Sequence, residues 1–208
     1  MSVTLPRGKQ ELLASNSGSI GVRPDVRWFR WSIRHVERCF ALIGVMCVVY
    51  MAGFHYSCVV SSSMRPTLQG SNASDGDRVI TEKFSYYFRE PRRWEVLTIR
   101  RESDGLEVMK RVVGLPGEEL QILLDGQLVI NGREVDPPKA LGFLKYLPVA
   151  NVHGDKVFNC EDGYYVLGDE AMDSDDSRFN GTVSRDEIIG RSWLIIGPPN
   201  RRGFVNSG

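Results

Sequence analysis

The chain has 208 residues, 42% of them hydrophobic, which suits one packed domain with additional segments. Lys plus Arg and Asp plus Glu each number 26, so a net charge of zero excludes a nucleic-acid binder that works through bulk charge. The four cysteines include no Cys-x-x-Cys pair and no Cys/His cluster, so no zinc or other metal site is expected.

Residues 1–22 read as a mobile polar tail. The basic residues Arg7, Lys9, Arg23, Arg27, Arg30, Arg34 and Arg38 outnumber the acids Glu11, Asp25 and Glu37 in this region. From Arg23 onward the arginines recur every three or four residues, which places them along one helical stripe with Trp28 and Trp31 among them. Next comes Cys39–Val60, "CFALIGVMCVVYMAGFHYSCVV", without a carboxylate, Lys or Arg. About 20 such residues cross a bilayer core of roughly 30 Å. His55 and Ser57 weaken the last turn, so the hydrocarbon span is expected to end near Phe54. A buried core helix and a cleaved signal peptide are the alternatives. The long basic region and the lack of a small-x-small site favour an uncleaved anchor. The arginine stripe then puts the amino terminus in the cytoplasm and everything after Val60 outside. Cys39 and Cys47, about 12 Å apart in rise on this helix, are too distant to bond, whereas Cys58 and Cys160 could meet.

Beyond Val60 the pattern turns to short strands. "DRVITEKFSYYF", "EVLTIRR" and "EVMKRVV" carry β-branched and aromatic residues. "LQILLDGQLVINGREV" predicts strands about an Asp125-Gly126 turn, with a second turn at Asn131-Gly132. "GYYVLG" and "SWLIIG" add two more, and a less regular insertion covers about 137–160. The expected organisation is a basic cytoplasmic stretch over 1–38, an anchor over 39–60 and a mainly β, extracytoplasmic domain over 61–208.

A serine nucleophile needs a base. The histidines are poorly placed for that role: His35 is on the cytoplasmic side, His55 at the membrane exit and His153 in the insertion. No Gly-x-Ser-x-Gly elbow exists, which leaves a neutral lysine. Strand alternation puts Val108, Lys110 and Val112 on one face, where desolvation lowers an ammonium's pKa. Taken singly, Lys110 reads rather as an edge lysine with a packed stem. Ser63, in "SSSMRPTL", reads alone as a turn residue.

Together with their flanks, however, "SSSMRPTL", "KRVVGLPGE" and "GDEAMDSDDSR", in that order, resemble type I signal peptidases, Ser/Lys-dyad membrane serine peptidases. The resemblance runs from about Ser57 to Gly197 and includes the anchor. It implies a membrane-anchored antiparallel β-sheet domain of signal-peptidase type behind one transmembrane helix, and an endopeptidase that removes signal peptides without a cofactor. It also implies roles: Ser63 as nucleophile, Lys110 as general base, and the Ser61 hydroxyl with the Ser63 amide as oxyanion hole. Ser174 would orient the lysine, and Asp176 with Arg178 would form a supporting pair, as would Asp169 with Arg111. The substrate would lie extended between Tyr56–Ser62 and Glu107–Lys110, with Val59 and Met109 shaping shallow pockets for small residues.

Two departures stand out. Ser62 replaces the usual glycine, and Gly-Asp-Asn-Arg-Asp-Asn-Ser reads here Gly168-Asp169-Glu170-Ala171-Met172-Asp173-Ser174. Both bear on loop geometry and substrate preference more than on the dyad. "DSRFNGTVSRDE", Asp176–Glu187, echoes a calcium loop, but Arg178 occupies a ligand position. Expected partners are secretory preproteins, the lipid bilayer and the translocation machinery, at a bacterial inner membrane. The rival readings are a Ser/Lys processing peptidase of a conjugation or secretion system, a self-cleaving regulator of the SOS-repressor type, and an inactive tethered peptide binder.

Overall fold

The computed structural model describes residues 25–102, 104–147 and 156–206. Arg7, Lys9, Arg23, His153 and the tail expected over residues 1–22 lie outside the described residues. The chain divides into two compact units, Met1–Val48 and Val49–Gly208.

Helix α1 runs Asp25–Gly53. Its part Trp31–Gly53, 23 residues, is long and apolar enough to cross a membrane, rising about 35 Å against a hydrocarbon core of about 30 Å. Phe40, Leu42, Val45, Met46 and Val48 are all exposed. A helix that leaves such apolar side chains exposed suits lipid. The helix ends ahead of Val60 because the chain is taken over by sheet pairing. The Lys83 N–H donates to the Gly53 carbonyl, and Phe54 pairs with Glu82.

Eleven strands follow among the described residues. In chain order the elements are β1 Phe54–Cys58, β2 Arg78–Glu82, the short helix α2 Ser85–Phe88, β3 Val96–Arg100, β4 Glu107–Gly114, β5 Glu119–Ile122, β6 Leu128–Ile130 and β7 Arg133–Val135. Then come β8 Val157–Asn159, β9 Tyr165–Leu167, the short helix α3 Ser177–Asn180, β10 Ile188–Gly197 and β11 Gly203–Phe204. The larger sheet has the order β1-β2-β10-β3-β4-β9, with β11 beside β10; the smaller one has the order β7-β6-β5-β8. Every pairing is antiparallel. The fold is therefore mainly β, as expected.

Two details correct the sequence reading. "DRVITEKFSYYF" is not one strand: β2 stops at Glu82, whose carboxylate accepts the Ser85 N–H at 2.9 Å and starts the turn of α2. The strand expected over Tyr56–Ser62 is shifted back to Phe54–Cys58, with one further ladder bond from the Val59 N–H to Asp77 O. A turn closed by Arg65 N–H on Ser62 O prevents it from continuing. The Asp125-Gly126 hairpin forms as predicted, and Gly126 takes a φ of 89°, a left-handed conformation that a glycine adopts without strain.

Alternation sorts the larger sheet's side chains into two cores. Val79, Val96, Met109 and Ile195 pack with Val59, Met64 and Leu68, while Leu97, Ile99, Val112, Val166 and Ile188 pack on the opposite side. A third core joins Leu120, Ile122, Leu128, Ile130 and Cys160 to Val113, Tyr165 and Leu167. Cys58 and Cys160 are free thiols, so the bridge considered for them is not formed. Cys160 lies in that third core, whereas Cys58 donates to Ala73 O.

Candidate active site

Ser63 sits in the turn after β1. Met64 and Leu68 anchor that turn in the apolar core, and the Leu68 N–H donates to Met64 O. From the far side of the sheet the loop after β9 reaches over, and the Glu170 N–H donates to Ser63 O at 3.0 Å. Gly168 makes this approach possible. A Cβ there would stand 2.5 Å from Ser63 O and 2.2 Å from Ser174 Oγ, so any larger residue would push the loop off the serine.

Lys110 Nζ lies 2.8 Å from Ser63 Oγ, although the residues are 47 apart in sequence. Ser63 is 6% exposed and Lys110 5%. Burial holds the Lys110 ammonium below the ordinary lysine range; Asp176, Asp175 and Asp169 oppose this, and Arg101 reinforces it. A buried amine with a lowered pKa beside a hydroxyl can take its proton. Ser61 Oγ is 3.2 Å from Ser63 Oγ, which puts a second hydroxyl beside the nucleophile.

Two buried ion pairs hold this geometry. Arg111 is fully buried, and its five N–H groups all find acceptors. Nε and Nη2 clamp the Asp169 carboxylate at 2.8 and 2.7 Å, Nη1 reaches Trp94 O and Asn206 O, and Nη2 also reaches Thr67 Oγ1. Thr67 in turn donates to Asp169. The cluster ties β4, the loop after β9 and the nucleophile turn together. Asp176 and Arg178 form the second pair, at 2.8 Å through both Nε and Nη2. The Asp176 carboxylate also accepts the Gly168 N–H at 3.0 Å and the Arg178 N–H at the start of α3.

Thus the structure brings together Ser61, Ser63 and Lys110, pairs Arg111 with Asp169 and Asp176 with Arg178, and buries Val59 and Met109 in one core. Ser174 departs from expectation. Its Oγ is buried beside Gly168 without a hydrogen-bond partner among the described residues, so it does not bond Lys110. The side chain is turned against the Gly168 backbone, while Lys110 is taken by Ser63.

Sequence reasoning missed Thr67, which carries no local signal. It also missed that its two departures meet: Ser62 donates to Asp173. At the open end of the same gap, His55 on β1 lies 2.8 Å from Glu107 on β4. Among the described residues no strand pairs with the outer edge of β1 or with Glu107–Lys110 on the side of β4 away from β3. Two free edges therefore flank the dyad.

The family described as signal peptidase, peptidase S26, matches residues 32–196. A probable signal peptidase I-2 of Synechocystis sp. is 31% identical over 189 residues, covering 88% of this chain and 79% of its own. A signal peptidase I of Leptolyngbya laminosa is 35% identical over 153 residues, covering 70% of each chain. A solved signal peptidase I from Enterococcus faecalis V583 aligns at 26% identity and a TM-score of 0.38, over 50% of this chain and 97% of that one.

Proposed function

Because the chain belongs to the signal peptidase family, peptidase S26, we propose that it removes signal peptides from translocated preproteins, with Ser63 as nucleophile and Lys110 as general base. The single observation that carries this reading is the 2.8 Å contact of a buried Lys110 Nζ with Ser63 Oγ. An inactive binder would have no use for this contact, and a neutral lysine serves no purpose on a surface.

The substrate adds as an extended strand between the free edges of β1 and β4, so main-chain hydrogen bonds hold it whatever its sequence. Side chains that turn toward Val59, Met64 and Met109 meet a filled core with room only for small groups, which selects an Ala-x-Ala pattern. Neutral Lys110 accepts the Ser63 proton as Ser63 Oγ attacks the scissile carbonyl. The Ser63 N–H and the Ser61 hydroxyl take the charge on the carbonyl oxygen. The resulting Lys110 ammonium protonates the leaving amine, and Lys110 then activates the water that opens the acyl-enzyme. Incubating the purified protein with a preprotein and mapping the product by mass spectrometry should give one cut after a small residue. A cut at unrelated sites would overturn the reading.

The lowered Lys110 pKa has a definite sign in kinetics. The competent form is the free amine, so activity rises with pH through the depressed lysine pKa and holds at mildly alkaline pH. Lys110→Arg is inactive throughout because guanidinium keeps its proton. A kcat/KM profile flat down to about pH 5 would contradict a lysine base.

Removing the Ser61 hydroxyl by Ser61→Ala lowers turnover about 10²- to 10³-fold. Affinity for an uncleavable peptide stays nearly constant. If affinity collapses instead, Ser61 is a substrate contact rather than an oxyanion donor.

Residues 1–38 belong on the cytoplasmic side, the anchor that follows ends at Gly53 where β1 begins, and the β domain beyond it lies outside, at a bacterial inner membrane. There the peptidase meets preproteins emerging through the translocation machinery. In sealed inner-membrane vesicles, protease added from the outer face should degrade the β domain and spare a fragment ending near residue 60. Protection of the β domain with loss of the amino terminus would reverse the orientation.

A further inference from the structure

A cleft of about 270 Å³ opens on the Lys110 side of β4, away from Val59 and Met109. Its walls are aliphatic, from Ile99, Val108, Val166 and Val183. Its rim is polar: Asp175 accepts from Arg101 and from Asn180, both at 2.6 Å, and Glu187 stands nearby. Of its lining residues the site described above uses Lys110 and, through its pair with Arg178, Asp176.

The sheet's register says what reaches this cleft. β9 pairs with β4 from Arg111 onward, where Arg111 faces Leu167, so a strand added along Glu107–Lys110 must end opposite Lys110. Successive side chains of an extended strand point to opposite faces. If the residue before the scissile bond turns its side chain to the Val59–Met109 face, the residue after it turns to the Val108–Lys110 face. β9 then forces the following chain off the sheet edge, on the side where the cleft lies.

We propose that this cleft is the binding site for the first residue of the released product, and that it prefers an aliphatic side chain over an acidic one. The preference has two physical sources. The four aliphatic walls reward burial of a branched hydrocarbon. The rim places Asp175 and Glu187 where a substrate carboxylate would meet like charge, with Arg101 already committed to Asp175. The assignment rests on the peptidase reading above and adds a second specificity element to it, on the opposite face from the small-residue pockets.

The test uses the full-length protein and substrates identical except at the first residue after the cut. Wild-type kcat/KM for Val or Leu at that position should exceed that for Asp by about tenfold or more, in the range that pocket contacts discriminate. Thr182→Trp, which fills the cleft from its rim, should compress this ratio to within about twofold, while the ratio for Ala over Phe before the cut is kept. Val183→Ala enlarges the cleft and should move the optimum from Val toward Leu and Phe, so it carries the test if the tryptophan variant does not fold. Brisk cleavage with the same rate for Val, Leu and Asp would overturn the cleft assignment and leave the peptidase reading standing. So would a ratio unchanged in both variants. A wild-type protein that cuts none of the series overturns the peptidase reading, and the cleft assignment with it.

Discussion

Ser63→Ala and Lys110→Ala each abolish preprotein processing, by at least about a thousandfold, and the double variant is no slower than either single one. The reason is that the two residues act as one unit: a hydroxyl without a base keeps its proton, and an amine without the hydroxyl has nothing to activate. The two groups are buried and 2.8 Å apart, so each is the other's immediate partner. His55, the described histidine in the same compact unit as the dyad, is paired with Glu107. Initial rates on a purified preprotein are the measurement. Residual activity above a few per cent in either single variant would show that another group activates Ser63.

Arg111→Met should destabilise the β domain by about 3–5 kcal/mol, because it leaves the Asp169 carboxylate buried without its counter-charge. The damage extends to the site. Trp94 O and Asn206 O lose a donor, Asp169 loses its clamp, and the turn around Thr67 loses its link to β4. For a domain of this size the thermal midpoint should fall by about ten degrees or more. Replacing both partners, Arg111→Met with Asp169→Leu, should restore much of the stability but not the activity, since the loop carrying Glu170 would lose its anchor beside Ser63. Arg111→Lys does not rescue either, as three donors cannot fill five positions. A loss under about 1 kcal/mol in Arg111→Met would mean that water compensates the charge and that the pair is not structural.

Much of the candidate site was legible, but by different routes. The alternation around Lys110 is local, and Val108 and Val112 do share its face of β4 while Met109 takes the other. Ser63 and Lys110, taken one at a time, had ordinary readings as a turn serine and an edge lysine. Only the resemblance in their flanking motifs joined them. Arg111 illustrates the limit: the resemblance implied a pair with Asp169, yet nothing in "KRVV" indicates that the guanidinium is fully buried and also holds Trp94 O, Asn206 O and Thr67. Ser174 illustrates the opposite case, where a motif position implied a hydrogen bond that this packing does not make.

What the sequence determined by itself is what short-range physics decides. The apolar run makes a helix suited to lipid, because length and composition alone set the cost of burying a backbone in hydrocarbon. Asp125-Gly126 makes a hairpin, because a left-handed φ is cheap only for a few residue types. Tertiary structure decided everything that depends on which strands become neighbours. β1 ends at Cys58 because Asp77 and the Ser62–Arg65 turn take over its last groups. The turn of "FSYYF" into a short helix is a local matter by contrast: the Glu82 carboxylate accepts the Ser85 N–H three residues on, against an aromatic composition that favours strand. β9 covers the edge of β4 from Arg111 and leaves Glu107–Lys110 open, which fixes where a substrate strand must stop. The Val59–Asp77 bond and the β4–β9 pairing join residues many positions apart. A one-residue slip of β4 in its pairing with β3 would carry Lys110 to the wrong face of the sheet, and no local pattern encodes that register.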